Sequence, residues 1–304
     1  MKFLLLLLLG LLSHTVQAGR IAISFDDSPT EDSHYLQGEQ RTEQLIQALK
    51  QAGVEQAIFF ANTVRVDEAG ERRLRALAES GHLIANHSHS HQSAGKLSVD
   101  EYMVEVETAH QVLSKLPGFA PFHRFPYLNR GEDASKIVQL NHRLGEMGYK
   151  DGYVTVDNYD FYISHLFDKA VAAKQPVDME KLEALYVETL WQAIQFYDGL
   201  ALEYLGRSPN HVLLLHENDA AALFVEALID KIRAEGWEII PAMQAYNDPM
   251  ADWFDPQGSH GQGRVAAIAH QKGASQERIR HSMESTTRLD QAFAKTLKES
   301  QSLP

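Results

Sequence analysis

Ile21-Ala22-Ile23-Ser24-Phe25-Asp26-Asp27-Ser28-Pro29 is the stretch on which the fold turns. A short apolar run gives way abruptly to two adjacent carboxylates and a proline, so it predicts a buried strand that delivers Asp26 and Asp27 at its carboxyl end. Working outward, Thr42 to Gln51 places Leu45, Ile46 and Leu49 on one helical face and stops at Gly53. Ala57 to Ala61 is a second strand, and Arg72 to Glu79 a helix closed by Gly81. The third strand, His82 to Ala85, runs into a cluster of histidines. Ser98 and Glu101 form a capping box for a helix that Pro117-Gly118 ends near Leu116. Further strand candidates are Phe122–Phe125, Gly152–Val156, His211–Leu215 and Trp237–Ile240, with helical stretches at 134–147 and 220–234. Buried strands alternating with helices predict an α/β fold on a parallel sheet, and their number suggests a barrel. In parallel barrels, reactive residues collect where strands end.

Four more segments lie at such ends: His87-Ser88-His89-Ser90-His91, Arg124-Phe125-Pro126-Tyr127, Asp157-Asn158-Tyr159-Asp160-Phe161 and Leu214-Leu215-His216. His87 and His91 are four apart, so on a helical turn their imidazoles could share a cation, and a nearby carboxylate would complete a three-ligand site open to water and substrate. On a strand, His87 would pair with His89 instead. Taken singly, each segment also has an ordinary reading: a metal-free histidine loop, an aspartate-capped turn before Pro29, a surface arginine in a proline turn.

The order and chemistry of the five segments resemble the polysaccharide deacetylases of carbohydrate esterase family 4, the NodB-homology domain, from about Arg20 to about Asp248. The resemblance implies a distorted seven-stranded (β/α) barrel. It implies Asp27, His87 and His91 as ligands of one divalent metal, zinc first, with cobalt, nickel or manganese also suited to such donors; His89 is left out. It implies Asp26 as the general base and Arg124 as its partner. His216 would be the general acid, supported by Asp160. The backbone amide of Tyr127 would bind the developing oxyanion, Leu214 would close a pocket for the acetyl methyl, and Phe161 would stand where the family has a tryptophan along the groove. Ser28 replaces a family glycine next to the ligand loop.

Composition sets the surroundings. The chain has 304 residues, 44% of them hydrophobic, enough for a substantial core. Lys2, the apolar run Phe3 to Leu12 and Val16-Gln17-Ala18 read as a signal peptide over 1–18, with an uncleaved anchor as the alternative. The mature protein is then expected from near Gly19, in a periplasm or outside the cell, with no permanent membrane anchor. No cysteine is present, which excludes thiolate chemistry and disulfide staples. A formal charge of −13 argues against nucleic acid as a partner and is otherwise a matter of solubility.

The catalytic domain is expected over 19–250. Within it, Met179 to Leu205 carries Leu182, Leu185, Tyr186, Leu190, Ile194 and Tyr197 at helical spacing, a stripe read as core contact. Residues 251–304, with Gly258, Gly261 and Gly263 as a connector and a polar helix over 276–297, are read as a peripheral helical tail without chemistry of its own. The leading function is a hydrolase that removes acetyl groups from a glycan, N-acetyl groups of a hexosamine polymer or oligomer first. O-deacetylation of xylan or an exopolysaccharide, hydrolysis of a small C–N substrate, and a catalytically silent carbohydrate-binding barrel are the alternatives. The last would be expected to lack the base or the acid, and both are present.

Overall fold

The apolar run at the start opens β1 (Arg20–Ser28), the centre of a parallel sheet in a computed structural model that describes residues 19–131, 133–254, 256 and 261–298. The stretch read as a signal peptide, 1–18, and Gly258 lie outside these residues. Along the chain β1 is followed by α1 (Gly38–Gln51), β2 (Ile58–Ala61), α2 (Glu68–Glu79), β3 (Leu83–Asn86), α3 (Val99–Leu113), β4 (Phe119–His123), α4 (Ala134–Glu146) and β5 (Lys150–Asp151). Then come α5 (Asp160–Ala172), α6 (Met179–Leu205), β6 (Asn210–His216), α7 (Asp219–Ala234) and β7 (Glu238–Ile239). Three helices end the described chain: α8 (Ala242–Ala245), α9 (Arg264–Gln271) and α10 (Thr286–Ala294).

All pairings between these strands are parallel, in the order β5-β4-β3-β2-β1-β6, with β7 also on β1. This is an open form of the expected distorted (β/α) barrel. Isolated parallel strands cannot be joined by tight turns, so a helix covers nearly every crossover, and the sheet is buried on both faces. Ile21, Ala22, Ile23 and Phe25 are inaccessible to solvent, and the Phe25 ring stacks on Phe59 with centroids 4.7 Å apart. The capping box read at Ser98 and Glu101 is present, with both reciprocal bonds formed.

Two strand candidates differ from the structure: Phe122–Phe125 is replaced by β4, which starts three residues earlier at Phe119 and ends at His123, and Gly152–Val156 departs further. Gly152–Val156 is extended but is not a ladder strand; the fifth strand is Lys150–Asp151. The reason is that its hydrogen bonds go three ways: Gly152 N–H to the His123 carbonyl, the Thr155 and Val156 N–H groups to Val212, and the Val154 carbonyl to Arg264 N–H. Val156 keeps one bridge to Leu213. The barrel wall therefore has a seam between β5 and β6.

That seam is covered by residues expected to form a peripheral tail. In α9, Val265, Ala266, Ala267, Ile268 and Ala269 are buried, and the helix packs on α6. Arg264 is buried over the Tyr153 ring and pairs with Asp151, which also takes Arg130. The expected long helix over 276–297 is in fact the shorter α10, with Leu289 and Phe293 buried. α6 is a single 27-residue helix whose Leu182, Tyr186, Leu190, Ile194 and Tyr197 face the core, as the stripe predicts.

Candidate active site and metal centre

Asp26 and His216 are direct partners in the β1–β6 register, so their side chains leave the sheet on the same face. Asp27, one residue on, should point to the other face. It does not, because its φ is +66°, a left-handed backbone that turns it back towards the same opening. Asn62 Nδ2 donates to Asp27 Oδ1 at 2.6 Å and holds that turn.

The histidine segment does not form the helical turn that the four-residue spacing suggests. Ser88 and His91 both have left-handed backbones, with φ of +72° and +57°. The turn they make still brings the two imidazoles within 5.0 Å, centroid to centroid. His87 Nδ1 lies 2.8 Å from the Arg124 carbonyl. A carbonyl can only accept, so Nδ1 carries the hydrogen and Nε2 keeps its lone pair for the cluster. His91 Nε2 is 3.2 Å and His87 Nε2 3.9 Å from Asp27 Oδ1, and one donor atom each from Asp27, His87 and His91 lie within 4.8 Å of one another. His89 turns away, its Nδ1 2.8 Å from Thr63 Oγ1.

Three convergent donors fit a divalent cation, and their protonation fits it too. Burial pushes the Asp27 carboxyl up, but His91, His216, His87 and Asn62 outweigh it and hold the pKa down to about 2. Burial, helped by His87, lowers His91 to about 4. An ionised carboxylate beside a neutral imidazole is the state that metal ligands need.

Two supports flank this cluster. Arg124 is buried at the end of β4, and its Nη1 donates to Asp26 Oδ1 at 2.5 Å and to Ser24 Oγ at 3.0 Å. Its Nε donates to the Gly152 carbonyl and its Nη2 to Tyr246 Oη, while the guanidinium stacks on Phe60 at 3.8 Å. With every edge of the fork engaged, the guanidinium has one orientation. On the other side, Asp160 opens α5. Its Oδ1 lies 2.7 Å from His216 Nδ1, and its Oδ2 accepts from the His216 N–H and from Asn218 Nδ2. Burial lowers the His216 pKa, yet Asp160, then Asp27 and Asp26, raise it to about 9. His216 is thus a cation at neutral pH, with Nε2 as its free ring nitrogen.

Asp26, Asp27, His87, His91, Leu214 and His216 line one cavity of about 310 Å³, together with Leu128, Asp157, Asn158, Tyr159, Gly261, and the exposed rings of Tyr127 and Phe161. Tyr127 has a left-handed backbone, φ +59°, and its ring lies 4.5 Å from His91; Phe161 packs edge-on to His216 at 5.3 Å. Eight of the ten residues nominated from sequence line this cavity, and the other two, Arg124 and Asp160, are buried behind it on Asp26 and His216. Asp157 and Gly261 were missed. Burial and the neighbouring Glu284 raise the Asp157 carboxyl to about 8, and Glu284 belongs to the segment read as a tail. Beside the site, His123 meets Tyr102 Oη at 2.9 Å, His211 is buried against Asp198 and Thr155, and His82 accepts from the backbone amide of Ala57.

Fold and site together define a parallel (β/α) barrel with a three-donor centre at its strand ends. Residues 13–145 match the family model described as polysaccharide deacetylase. Over 108 residues the chain is 32% identical to the peptidoglycan-N-acetylglucosamine deacetylase of Bacillus cereus, a match covering 35% of this chain and 36% of that protein. By structure it is similar to the chitin deacetylase of Colletotrichum lindemuthianum, with TM-score 0.53 and 20% identity over 81% of this chain and 95% of the other. It is also similar to a carbohydrate esterase family 4 pseudoenzyme of Bacillus anthracis, with TM-score 0.52 and 15% identity over 76% and 66%. Over residues 13–145 the chain is similar to the polysaccharide deacetylase family. It spans about a third of the length of the Bacillus cereus relative. The two structural likenesses carry the fold alone, since an enzyme and a pseudoenzyme share it.

Proposed function

We propose that this protein hydrolyses acetyl groups from an acetylated glycan, N-acetyl groups of a hexosamine polymer or oligomer of peptidoglycan or chitin type in the first place. The observation that carries this reading is the pairing of an arginine-held carboxylate, Asp26, with an aspartate-held imidazolium, His216, on either side of the Asp27–His87–His91 donors in one cavity. A pseudoenzyme of the same fold has no use for both proton-transfer groups. The Bacillus cereus relative is named for an N-acetylglucosamine substrate, which supports the N-acetyl choice.

Asp27, His87 and His91 would hold one divalent ion, zinc before cobalt, nickel or manganese. When bound, such an ion acidifies water and polarises an acyl oxygen. The remaining work falls to the chain. Asp26, aimed by Arg124, takes a proton from the attacking water as its oxygen adds to the acyl carbon. The backbone N–H of Tyr127 donates to the developing oxyanion. The methyl lies against Leu214. As the C–N bond breaks, the proton on His216 Nε2 passes to the departing nitrogen, and Asp160 stabilises the imidazolium until then. Acetate and a free amine remain.

The glycan would lie across the exposed Tyr127 and Phe161 rings. We include residues 261–298 in the catalytic unit, because Gly261 lines the cavity and α9 closes the seam. Export through a cleaved signal peptide accords with an extracytoplasmic glycan; N-terminal sequencing of the exported protein should begin near Gly19. The decisive experiment is acetate release by the purified protein from N- and O-acetylated glycans, with and without chelator. Release from an N-acetylated hexosamine polymer, lost with chelator, supports the proposal. Release from esters alone would move the substrate to O-acetyl groups, and no release from any glycan would leave a binding barrel.

A further inference from the structure

Glu217 directly follows His216 and is fully buried, yet the chemistry above makes no use of it. Its carboxylate accepts from Arg73 Nη2 at 2.5 Å, from Thr42 Oγ1 at 3.1 Å and from the Thr30 N–H at 3.3 Å. Its own N–H donates to the Asp26 carbonyl at 3.1 Å, and its carbonyl accepts from Thr30 Oγ1 at 2.7 Å. Arg73, in turn, donates to the Thr30 carbonyl at 2.7 Å. The backbone of Thr30 is thus gripped on both sides, by Glu217 at its N–H and by Arg73 at its C=O.

A second buried pair closes on the same residue. Arg41 donates to Asp219 Oδ1 at 2.7 Å, to Thr30 Oγ1 at 2.7 Å and to the Glu31 carbonyl at 2.9 Å, while Asp219 Oδ2 accepts from Ser33 Oγ. Space has been left for these groups. A Cβ on Gly38 would meet Arg73 Nη1 at 2.4 Å, so a side chain there would displace the guanidinium.

The position of the network gives it meaning. Asp26↔His216 is the last rung of the β1–β6 ladder, and beyond it the two chains diverge. The loop after that rung contains Asp27. A buried ion pair adds little net stability over apolar packing, because desolvation cancels most of the attraction, but it fixes geometry. Two such pairs converging on Thr30 fix the one loop on which base and ligand sit relative to the strand that ends in His216.

We propose that Glu217, with Arg73, is a positioning residue that locks the Asp26–Asp27 loop against the His216 strand and so sets the spacing of the proposed base, ligand and acid. The inference rests on the proposed deacetylase reading for its kinetic consequence, but not for its structural one. The test uses Thr30→Val, which keeps the shape and removes the hydroxyl link, and Glu217→Gln, which removes the charge. Zinc affinity of the metal-free proteins is measured by chelator competition, beside kcat, KM and Tm. Supporting a ligand from outside its coordination sphere is typically worth about 10–100-fold in affinity or activity. Both variants should therefore bind zinc about tenfold or more weakly, and lose about 10–100-fold in kcat with KM changed less than about twofold. A folded Thr30→Val with wild-type zinc affinity and kcat overturns the proposal, even if its Tm falls. Should Glu217→Gln not fold, Thr30→Val alone decides. If the wild type releases acetate from no glycan, the functional reading fails, and the zinc affinities still decide the clamp.

Discussion

A left-handed backbone at Asp27 is what lets two adjacent carboxylates serve one cavity. Consecutive strand residues point to opposite faces, so without that turn Asp27 would lie on the far side of the sheet from Asp26. Non-glycine residues in this region of φ cost free energy, and five of the six among the described residues lie in or next to the site segments: Asp27, Ser88, His91, Tyr127 and Leu128, with Lys174 elsewhere. Residue types were legible in the sequence, since carboxylates and imidazoles at strand ends announce themselves. Backbone handedness was not, because no side chain at those positions encodes it as glycine would. The ligand assignment separates His87 from its neighbour. His87→Ala should lose most bound zinc by elemental analysis of the purified protein, whereas His89→Ala, which breaks only the contact with Thr63, should retain it. Equal zinc in wild type and His87→Ala would remove the assignment. Asp160 offers a test by pH. An acid must be protonated to act, so activity should fall as pH rises through the His216 pKa of about 9. Replacing Asp160 by Asn removes the main cause of the rise and should move that limb down towards the ordinary 6.5, with the acid-side limb unchanged. Acetate release at pH 8 would then drop by about an order of magnitude or more, with a much smaller loss at pH 6.

Elements were read well where burial and period agreed. β1, β2, β3 and β6 are continuous apolar runs, and α1, α2, α3 and α7 show a single apolar face with a cap or a glycine stop. One element was missed and one misread, for identifiable reasons. α5 starts on Asp160 itself, and its mix of aromatic and branched residues hides the period that would mark a helix. Gly152–Val156 has the composition of a strand, but its partners are the end of β4, a carbonyl of β6 and a helix start, none of which leaves a mark in the local sequence. The apolar stripe of α6 faces the core, as its helical spacing predicts. Leu190 is inaccessible at the centre of that helix. Leu190→Ala should destabilise the protein by about 2–5 kcal/mol in urea titration, the usual range for a buried leucine. KM for the best glycan should stay as it is in the folded fraction; a rise in KM without loss of stability would make α6 part of the groove.

At the scale of the molecule, the open seam decides what the last fifty residues are for. A half-barrel that ends on a two-residue β5 leaves backbone and apolar side chains to be covered, and local sequence in 251–304 gives little sign that it does the covering. The sign was there only in pieces: the Val265–Ala269 run is as apolar as a core helix, and Arg264 at its start has a buried partner waiting in Asp151. Val265, Ile268, Leu289 and Phe293 are all buried. At roughly 1.5–3 kcal/mol for each large apolar side chain, they contribute about 6–12 kcal/mol, comparable with the whole stability of an ordinary domain. Loss of Arg264 would add to this by leaving Asp151 with Arg130 as its remaining arginine partner among the described residues. A chain ending at Met250 should therefore fail to fold cooperatively, exposing apolar surface and aggregating, rather than yield a trimmed but active barrel. The measurement is a thermal melt and acetate release of that truncation beside a chain ending at Lys298. If the shorter chain melts with wild-type cooperativity and keeps its activity, residues beyond 250 are the peripheral tail that their polar character suggests, and the seam must be closed by the barrel's own strands.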